Sequence, residues 1–228
     1  MKIAFIGTGL MGYPMAKNLI NKKLNLTVFS RTIEKAKPLE KLGAIIANSL
    51  GEAVKESDIV ITMLTDDEAV EKVLGDQEFL NNLKNPSTVI DMSSIKPKIA
   101  IQYGKLLKDR NIHFLDAPVS GGTIGAEEGS LAIMVGGDQN VFDGAFDTLK
   151  IMGNPTLVGP IGSGQVSKLA NQIIVGVTIG AVAEAITLCE KAGVDANKFI
   201  KALSGGFADG KILQNHGKRM IDRDFSPK

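Results

Sequence analysis

The sequence predicts an α/β protein in which a doubly wound, largely parallel sheet is followed by an all-α domain. Short β-branched apolar runs alternate with stretches of helical periodicity from Lys2 to about Gly159. Such alternation is typical of βαβ units with helices on both faces of a sheet. The strand pattern ends at about Gly164. We therefore predict a first domain over residues 1–162 and a helical second domain over residues 163–228.

Six short runs predict the strands of the first domain, and five stretches between them predict its helices. The strand runs are KIAFIG, LTVFS, DIVITML, TVIDMSS, HFLDAPV and LAIMVGG. The helical stretches, which carry apolar residues at helical spacing, are YPMAKNLINKK, IEKAKPLEKLG, EAVEKVL, IAIQYGKLLKDRN and FDGAFDTLKIMG. Pro38 stands awkwardly in the second of these, because proline is unfavourable inside a helix. The Pro/Gly-rich segment PTLVGPIGSG then predicts a boundary.

One long helix is predicted at the start of the second domain, from Gln165 to Ala192. Gly193 is suited to end it, and Asp195 is a suitable N-cap for the next helix. ANKFIKALS and KILQNHGKRMI predict further helical segments. Within the long helix, Gly176 and Gly180 lie four residues apart and would allow close contact with another helix, either between domains or in a homo-oligomer.

The apolar part of this helix, Leu169–Cys189, is the stretch of the sequence that resembles a membrane span. It lacks Lys and Arg, but it contains Asn171, Gln172 and Glu184, which are costly in lipid. A helix that protein buries on all sides explains the stretch better. We therefore expect no membrane association.

The composition argues against several classes of partner. The 26 Lys and Arg residues balance 25 Asp and Glu residues, which disfavours a surface for nucleic acid or anionic lipid. Aromatic residues make up 5% of the chain and Trp is absent, which disfavours stacking on single-stranded nucleic acid. The single cysteine, Cys189, excludes an internal disulfide and favours a reducing, cytoplasmic compartment. The apolar run after Lys2 is too short for a signal-peptide core.

Three of the 25 glycines stand between the first strand and the first helix. Gly7, Gly9 and Gly12 form GTGLMG, a G-x-G-x-x-G motif. The first glycine allows a tight turn, the second lets the backbone approach a pyrophosphate, and the third lets the helix pack on the strand. Leu10, Met11 and the start of the helix would add backbone N–H groups. In this context the motif predicts a Rossmann-type dinucleotide-binding domain, with a purely structural turn as the alternative.

The end of the second strand bears on which dinucleotide is bound. An NAD enzyme would place Asp or Glu there to hold the ribose hydroxyls. This chain has Ser30, Arg31 and Thr32 instead. Arg31 could pair with a 2′-phosphate, and the two hydroxyls could donate hydrogen bonds to it. The sequence therefore predicts a preference for NADP over NAD, unless Arg31 is simply a solvated residue in a turn.

Two further strand ends should lie on the cofactor side of the sheet. Met63, Leu64 and Thr65 end the third predicted strand, and Ser93 and Ser94 end the fourth. In an open parallel sheet, ligands bind beyond the carboxyl ends of the strands. We therefore include Met63, Leu64, Thr65 and Ser94 among the candidate cofactor contacts.

A second glycine cluster follows the fifth strand, in the segment DAPVSGG that begins at Asp116. Ser120 could present a hydroxyl, and Gly121 and Gly122 could present closely approaching backbone N–H groups. A small carboxylate would fit such donors. A glycine-rich turn without a ligand is the alternative.

The start of the long helix carries a polar group of side chains on an otherwise apolar helix. Lys168, Asn171 and Gln172 share one helical face, because they are three and four residues apart. A lysine that is partly shielded from water has a lowered pKa and can donate or accept a proton. A solvated lysine at a helix start is the alternative.

Metal and hydrolase chemistry find little support. His113 and His216 lie far apart, and no Cys, His and Asp set has the spacing of metal ligands. Ser120 has no recognisable His partner for a hydrolase triad. We therefore expect no metal site.

Taken together, GTGLMGYPMAKNL, DIVITML, DMSSI, DAPVSGG, LAIMVGG and GSGQVSKLANQ resemble the β-hydroxyacid dehydrogenase family. The motifs occur in family order from Met1 to about Phe225. Within the family, KLANQ, GGFADG and MIDRDF are most similar to the members that reduce tartronate semialdehyde. The family continues beyond this point with more helices, so the resemblance implies a substrate and dimerisation domain that is incomplete at its C-terminus.

The resemblance implies a role for each candidate residue. Lys168 matches the family's general acid/base, and Ser120, Gly121 and Gly122 match its substrate-carboxylate segment. Ser94 and the Met63–Thr65 loop match its cofactor contacts. Arg31 matches the arginine of NADPH-using members.

The expected reaction is hydride transfer between a nicotinamide cofactor and a small semialdehyde acid. Lys168 would protonate the carbonyl oxygen, while Asn171 and Gln172 orient lysine and substrate. 3-Hydroxyisobutyrate dehydrogenase and glyoxylate or succinic semialdehyde reductase activities are alternatives. A non-catalytic nucleotide-binding module on the same scaffold is the alternative from another class.

Overall fold

The computed structural model describes residues 1–226 of the chain. The chain divides into two compact units, one of which spans Met1–Lys168 and the other of which begins at Leu169. The first unit holds the sheet with its helices, and the second is helical. The domain boundary at residue 162 stays a prediction.

Strands and helices alternate along the first unit. Its strands are β1 (Lys2–Ile6), β2 (Asn25–Phe29), β3 (Ile45–Ile46), β4 (Ile59–Thr62), β5 (Thr88–Asp91), β6 (His113–Asp116), β7 (Val119–Ser120), β8 (Leu131–Gly136) and β9 (Gly153–Gly159). Its helices are α1 (Gly12–Asn21), α2 (Lys37–Glu40), α3 (Leu50–Val54), α4 (Asp67–Leu74), α5 (Gln77–Asn82), α6 (Pro97–Lys108), α7 (Gly122–Glu128) and α8 (Gln139–Met152). The long helix α9 (Ser163–Lys191) begins in the first unit and continues into the second.

The strands form one sheet in the order β3-β2-β1-β4-β5-β6-β8-β7, with β9 paired to β8. Neighbours from β3 through β6 run parallel. Side chains alternate between the two faces, so Ile3 and Phe5 join one apolar cluster and Ala4 and Ile6 join the other. Helices α1 and α8 cover the first face, and helices α3 to α6 cover the second. The predicted doubly wound parallel sheet is confirmed.

Strand β8 reverses the direction of the chain in the sheet. It runs antiparallel to β6, with Gly136 opposite Asp116, and antiparallel to β7. Strand β9 then runs parallel to β8. Alternation of apolar and polar residues does not encode strand direction, so the sequence could not reveal this reversal. Because the last residue of β6 pairs with the last residue of β8, β8 and β9 end beside the carboxyl end of β6.

Part of the segment predicted as a domain boundary is a strand. PTLVG lies within β9, which the sequence pattern did not identify because it contains Pro155. Proline lacks the N–H that a sheet interior requires, but it is tolerated on an edge strand. Strand β9 pairs only with β8, so one of its sides is free of strand neighbours in the described residues.

Pro38 divides the second predicted helix. IEKAKPLEKLG forms a 3-10 turn at Ile33–Lys35 and the short helix α2, in which Pro38 lies at the N-terminal end. Proline is tolerated there because the first N–H groups of a helix have no partner within it. The short helices α3 and α5, capped by Ser49 and Asp76, were missed because so few residues show no clear periodicity.

The second unit continues α9 and adds α10 (Ala196–Leu203), a π-helical turn at Leu213–Gly217, and α11 (Lys218–Ile221). Gly193 takes the left-handed conformation with φ of 78°, just after α9 ends. Asp195 accepts a hydrogen bond from the Lys198 N–H and so caps α10. The predicted helix end and N-cap are both confirmed.

The expectation that protein buries α9 on all sides is wrong for this chain. Ile173, Ile174 and Val177 are exposed, and 11% of the most apolar part of the helix is buried. The second unit has a small core of its own, formed by Val182, Ile186, Ala196, Ile200 and Leu213. Among residues 1–226, α9 is the one helix with the length and apolar composition to cross a membrane, and its most apolar 18 residues have a mean hydropathy of 1.8.

Candidate active site

The carboxyl ends of five parallel strands bring most of the candidate residues to one edge of the sheet. The segments that follow or end these strands are the glycine loop after β1, Ser30–Thr32 after β2, Met63–Thr65 after β4, Ser93–Ser94 after β5, and Asp116 at the end of β6. This edge is where ligands bind in open α/β sheets. The fold therefore places the predicted cofactor residues along one ligand-binding edge.

The three glycines of the β1–α1 loop differ in what surrounds them. Gly7 has φ of 101°, and a side chain there would clash with the carbonyl oxygen of Met63. A side chain on Gly12 would clash with the carbonyl oxygen of Gly7. By contrast, no atom lies within 4 Å of the position that a Cβ of Gly9 would take. Gly7 and Gly12 thus allow close packing, whereas Gly9 leaves open space beside the backbone.

This loop fits the phosphates of a dinucleotide. Helix α1 begins without a side-chain cap and without an acidic residue in its first turn, so no side chain competes for its N-terminal N–H groups. Gly9 and Leu10 are exposed beside it, and Met11 is partly buried. The buried hydroxyl of Thr8 finds no hydrogen-bond partner among the described residues. The loop therefore offers donors and space to an anionic ligand.

The segment after β2 contains the cation that the sequence singled out. Ser30 is buried, whereas Arg31 and Thr32 are exposed. Asp66, the N-cap of α4, lies close enough to Arg31 for the two charges to interact. The pKa of Asp66 is lowered chiefly by the N–H of Ala69 and the hydroxyl of Thr65, with a smaller contribution from Arg31. The sequence did not reveal that a carboxylate from another loop stands near Arg31.

A buried carboxyl group joins the loops after β4 and β5. Asp91 Oδ1 accepts hydrogen bonds from Thr62 Oγ1 at 2.7 Å and from Ser93 Oγ at 2.6 Å. Ser93 Oγ in turn accepts a bond from the Leu64 N–H at 2.9 Å. Complete burial raises the pKa of Asp91 despite these bonds. The Met63–Thr65 and Ser93–Ser94 segments are therefore held together.

A second buried carboxylate holds the start of the lysine helix. Asp116 Oδ1 accepts a hydrogen bond from the Gly162 N–H at 2.7 Å, and Oδ2 accepts one from the Gln165 N–H at 2.9 Å. A Cβ on Gly164 would lie 2.8 Å from this carboxylate, so glycine makes room for it. Burial raises the pKa of Asp116 to about 6, and the charge of Asp91 contributes in the same direction.

Lys168 lies beside the segment predicted to hold a substrate carboxylate. Its Nζ donates a hydrogen bond to the Val119 carbonyl oxygen at 2.7 Å. Val119 immediately precedes Ser120, and Gly121 and Gly122 follow with φ of 144° and 64°. The lysine is half-buried, and desolvation lowers its pKa. A lysine that can change protonation state more easily than an exposed one therefore stands next to this segment.

The remaining predicted residues are less tied to this edge. Asn171 and Gln172 belong to the second unit, where Asn171 Nδ2 donates to Gln172 Oε1 at 3.0 Å. Their role beside Lys168 stays a prediction. Ser94 is exposed after β5. Within residues 1–226, no group of three His, Cys, Asp or Glu residues could hold a metal ion.

Sequence reasoning gave no role to Asp91, Asp116 or Gln165. The signal for the two aspartates was the occurrence of Asp at the end of two predicted strands, in DMSSI and DAPV. Their strands are adjacent, and the two residues are paired in register. The signal for Gln165 was limited to its position one turn before Lys168. Its side-chain partners are about 70 residues away in the sequence, so no local pattern indicates them.

Two family models cover the chain. Residues 2–162 match the NAD binding domain of 6-phosphogluconate dehydrogenase. Residues 162–228 match the NAD-binding domain of NADP-dependent 3-hydroxyisobutyrate dehydrogenase. Both models describe proteins that bind a nicotinamide dinucleotide.

Named relatives and a solved structure agree with these models. The chain is 43% identical to 2-hydroxy-3-oxopropionate reductase of Escherichia coli K12, over all of this chain and 78% of that protein. It is 38% identical to probable 3-hydroxyisobutyrate dehydrogenase-like 1 of Arabidopsis thaliana, over 99% of this chain and 68% of that protein. Its structure matches 3-hydroxyisobutyrate dehydrogenase of Mycobacterium tuberculosis, solved with L-serine. That match has a TM-score of 0.86 and 33% identity over 94% of this chain and 73% of that one.

Replacing Asp116 with Asn should change how stability depends on pH. The unfolded carboxyl ionises near its ordinary pKa of 3.8, whereas the folded one keeps its proton until about pH 6. The folded protein therefore loses about 3 kcal/mol of unfolding free energy from this group as pH rises from about 4 to about 6. Asp116→Asn removes this loss. The unfolding free energy of the variant minus that of the wild type should therefore increase as pH rises through the same range.

Urea unfolding at several pH values between 4 and 7 measures this difference. Asp147→Asn, on the exposed side of α8, controls for the removal of one carboxylate. A difference between Asp116→Asn and the wild type that is constant with pH would contradict the raised pKa of Asp116.

Proposed function

The chain belongs to the β-hydroxyacid dehydrogenase family of nicotinamide-dependent oxidoreductases, and we propose that it reduces a small semialdehyde acid with Lys168 as general acid. The observation that carries this proposal is the bond between Lys168 Nζ and the Val119 carbonyl, 2.7 Å long, which holds the lysine beside Ser120, Gly121 and Gly122. In the reverse direction, the same lysine acts as general base toward a hydroxy acid.

Each residue of the site contributes to this reaction. The nicotinamide cofactor supplies the hydride that is added to the substrate carbonyl carbon. Lys168 donates a proton from Nζ to the carbonyl oxygen, so that the aldehyde becomes a primary alcohol. Ser120, Gly121 and Gly122 bind the substrate carboxylate and so fix the distance between carbonyl and lysine. We assign to Asn171 and Gln172 the orientation of lysine and substrate.

Tartronate semialdehyde is the substrate that we favour. The E. coli relative, which is named for the reduction of this compound under its other name, 2-hydroxy-3-oxopropionate, supports this choice. The alternative substrates are 3-hydroxyisobutyrate, for a dehydrogenase, and glyoxylate or succinic semialdehyde, for a reductase. The relatives carry the names of reductases and dehydrogenases, which gives no support to a non-catalytic module.

The cofactor site consists of the glycine loop and the strand ends described above. We assign Gly7, Gly9, Leu10, Met11 and Gly12 to the phosphates. Ser30, Arg31 and Thr32 would hold the 2′-phosphate of NADP, and Met63, Leu64, Thr65 and Ser94 would contact the rest of the nucleotide. The absence of Asp or Glu at positions 30–32 supports NADP over NAD.

The same proposal assigns roles to the two domains, an oligomeric state and a cellular location. Residues 1–162 bind the dinucleotide, and residues 163–228 serve substrate binding and dimerisation. The exposed apolar side chains of α9, with open space at Gly176 and Gly180, support a homo-oligomer. A cytoplasmic location, without membrane or nucleic-acid partners, is supported by the single cysteine and the balanced charge.

Lys168→Ala should lower kcat by about 100- to 10,000-fold, because it removes the proton donor. Binding of NADPH, followed by its fluorescence, should remain at the wild-type level. In the wild type, the rate of reduction should fall as pH rises through the pKa of Lys168, since only the protonated lysine donates. Lys191→Ala, in the last turn of the same helix, is the matched control and should keep wild-type kinetics. A Lys168→Ala enzyme that retains its kcat removes the lysine from the mechanism.

Cofactor preference should respond in opposite directions to two substitutions. Arg31→Ala should lower the ratio of kcat/KM for NADPH over NADH by about 10- to 100-fold, because a charge-assisted bond to the 2′-phosphate is lost. Asp66→Asn should raise that ratio, because it removes a negative charge near Arg31 and keeps an acceptor for the helix cap. An unchanged ratio in Arg31→Ala would show that this arginine is a solvated turn residue.

A panel of semialdehydes tests the substrate. Tartronate, methylmalonate, succinate and malonate semialdehydes are each assayed with NADPH and with NADH. We expect the highest kcat/KM for tartronate semialdehyde with NADPH. A higher value for another member would reassign the substrate, and no turnover of any member, with NADPH bound, would favour the non-catalytic module.

A further inference from the structure

We propose that Gln165 is a positioning residue for Lys168, because its buried amide fastens the first turn of α9 to the segment that follows β5. The inference rests on the proposed function, in which Lys168 is the proton donor. It goes beyond that function because it assigns a task to a side chain that touches neither substrate nor cofactor in the proposal.

Both ends of the Gln165 amide are bonded to the same short segment. Nε2 donates to the Ser93 carbonyl oxygen at 2.9 Å, and Oε1 accepts from the Ile95 N–H at 3.1 Å. The residue is 1% exposed. An amide with its donor and acceptor both satisfied in a buried place fixes distance and orientation at once, since losing either bond leaves an unpaired buried group.

The backbone of Gln165 is bonded to the neighbouring strand. Its N–H donates to Asp116 Oδ2, at the end of β6, while its side chain reaches the segment after β5. A side chain on Gly164 would clash with the Met134 and Asp116 carbonyl oxygens, so this turn lies tightly against the sheet. The start of α9 is therefore held from two strand ends.

Lys168 follows Gln165 by three residues in the same helix, a rise of about 4.5 Å. A displacement of the first turn is therefore carried directly to the lysine. At the segment to which Gln165 is bonded, Ser93 Oγ accepts a hydrogen bond from the Leu64 N–H. Leu64 belongs to a loop that we assign to the cofactor. The amide thus connects the cofactor edge with the proton donor, through groups that are all in the first unit.

A purely structural role for Gln165 predicts something different. Removing a buried amide that only supports the fold would lower the unfolding temperature, and the molecules that remain folded would keep their kcat and the environment of Lys168. A positioning role requires that kcat and the environment of Lys168 both change. The pH dependence of the rate at which an amine reagent labels Lys168, followed by mass spectrometry, reports that environment without requiring catalysis.

Gln165→Met keeps the length of the side chain and removes both hydrogen bonds. We expect kcat to fall about 10- to 100-fold. The dissociation constant for NADPH should stay near the wild-type value. The labelling midpoint of Lys168 should shift to higher pH, because a loosened turn lets more water reach the lysine. Gln139→Met is the matched control, since Gln139 is an exposed glutamine in the first turn of α8, and it should leave all three quantities unchanged.

Gln165→Glu provides a second test that does not depend on the folding of the first variant. A protonated glutamate can accept from Ile95 and donate to Ser93 as glutamine does, whereas the ionised form has no proton to donate and its oxygen repels the Ser93 carbonyl oxygen. The ratio of its kcat to that of the wild type should therefore rise as pH falls. A folded Gln165→Glu enzyme that keeps the wild-type kcat at a pH where its glutamate is ionised overturns the proposal.

A folded Gln165→Met enzyme with wild-type kcat and an unshifted labelling midpoint also overturns the proposal. Failure of the proposed function has a different signature, namely that the wild type does not bind NADPH or reduces no semialdehyde. In that case the labelling midpoints of the wild type and Gln165→Met still decide whether the amide controls Lys168.

Discussion

The buried carboxylate of Asp116 is the interaction on which the arrangement of the site depends. Asp116 is the last residue of β6, and its two oxygens accept hydrogen bonds from the N–H groups of Gly162 and Gln165 at the start of α9. Helix N-termini attract negative charge, which offsets part of the cost of burying this carboxylate. Because the start of α9 is fixed at this strand end, Lys168 comes to lie against Val119 and next to Ser120.

The register of β8 and β9 explains how the chain reaches this carboxylate. Antiparallel neighbours that overlap along their whole length end at opposite edges of a sheet. Here β8 and β9 run against β6, and the register places Gly136 opposite Asp116 and Gly159 beside Gly136. The chain therefore leaves β9 close to the end of β6, where Gly162 meets the Asp116 carboxylate. The loops after β6 and after β9 converge, and this convergence brings the lysine to the segment that we propose binds the substrate carboxylate.

The sequence was informative where a local pattern has one physical explanation. The glycine loop, the parallel strands and the cap at Asp195 follow from the spacing of a few adjacent residues. The sequence was uninformative where partners come from distant segments. Asp66 lies near Arg31 although the two belong to loops after different strands, and the amide of Gln165 is bonded about 70 residues away. Strand direction and the exposure of α9 also depend on tertiary neighbours, which periodicity does not report.

The hydrogen bonds that converge on α9 have a consequence for how this sequence can drift during evolution. In the described residues, the four hydrogen-bond partners of the Asp116 and Gln165 side chains are all main-chain groups, supplied by Ser93, Ile95, Gly162 and Gln165 itself. A main-chain partner persists whichever side chain its residue carries, provided that the backbone path is kept. Selection therefore has to preserve the Asp116 and Gln165 side chains and the glycine at 164, whereas Ile95 contributes only its main chain to these bonds and can be exchanged more freely. The geometry can thus outlast much of the sequence that surrounds it.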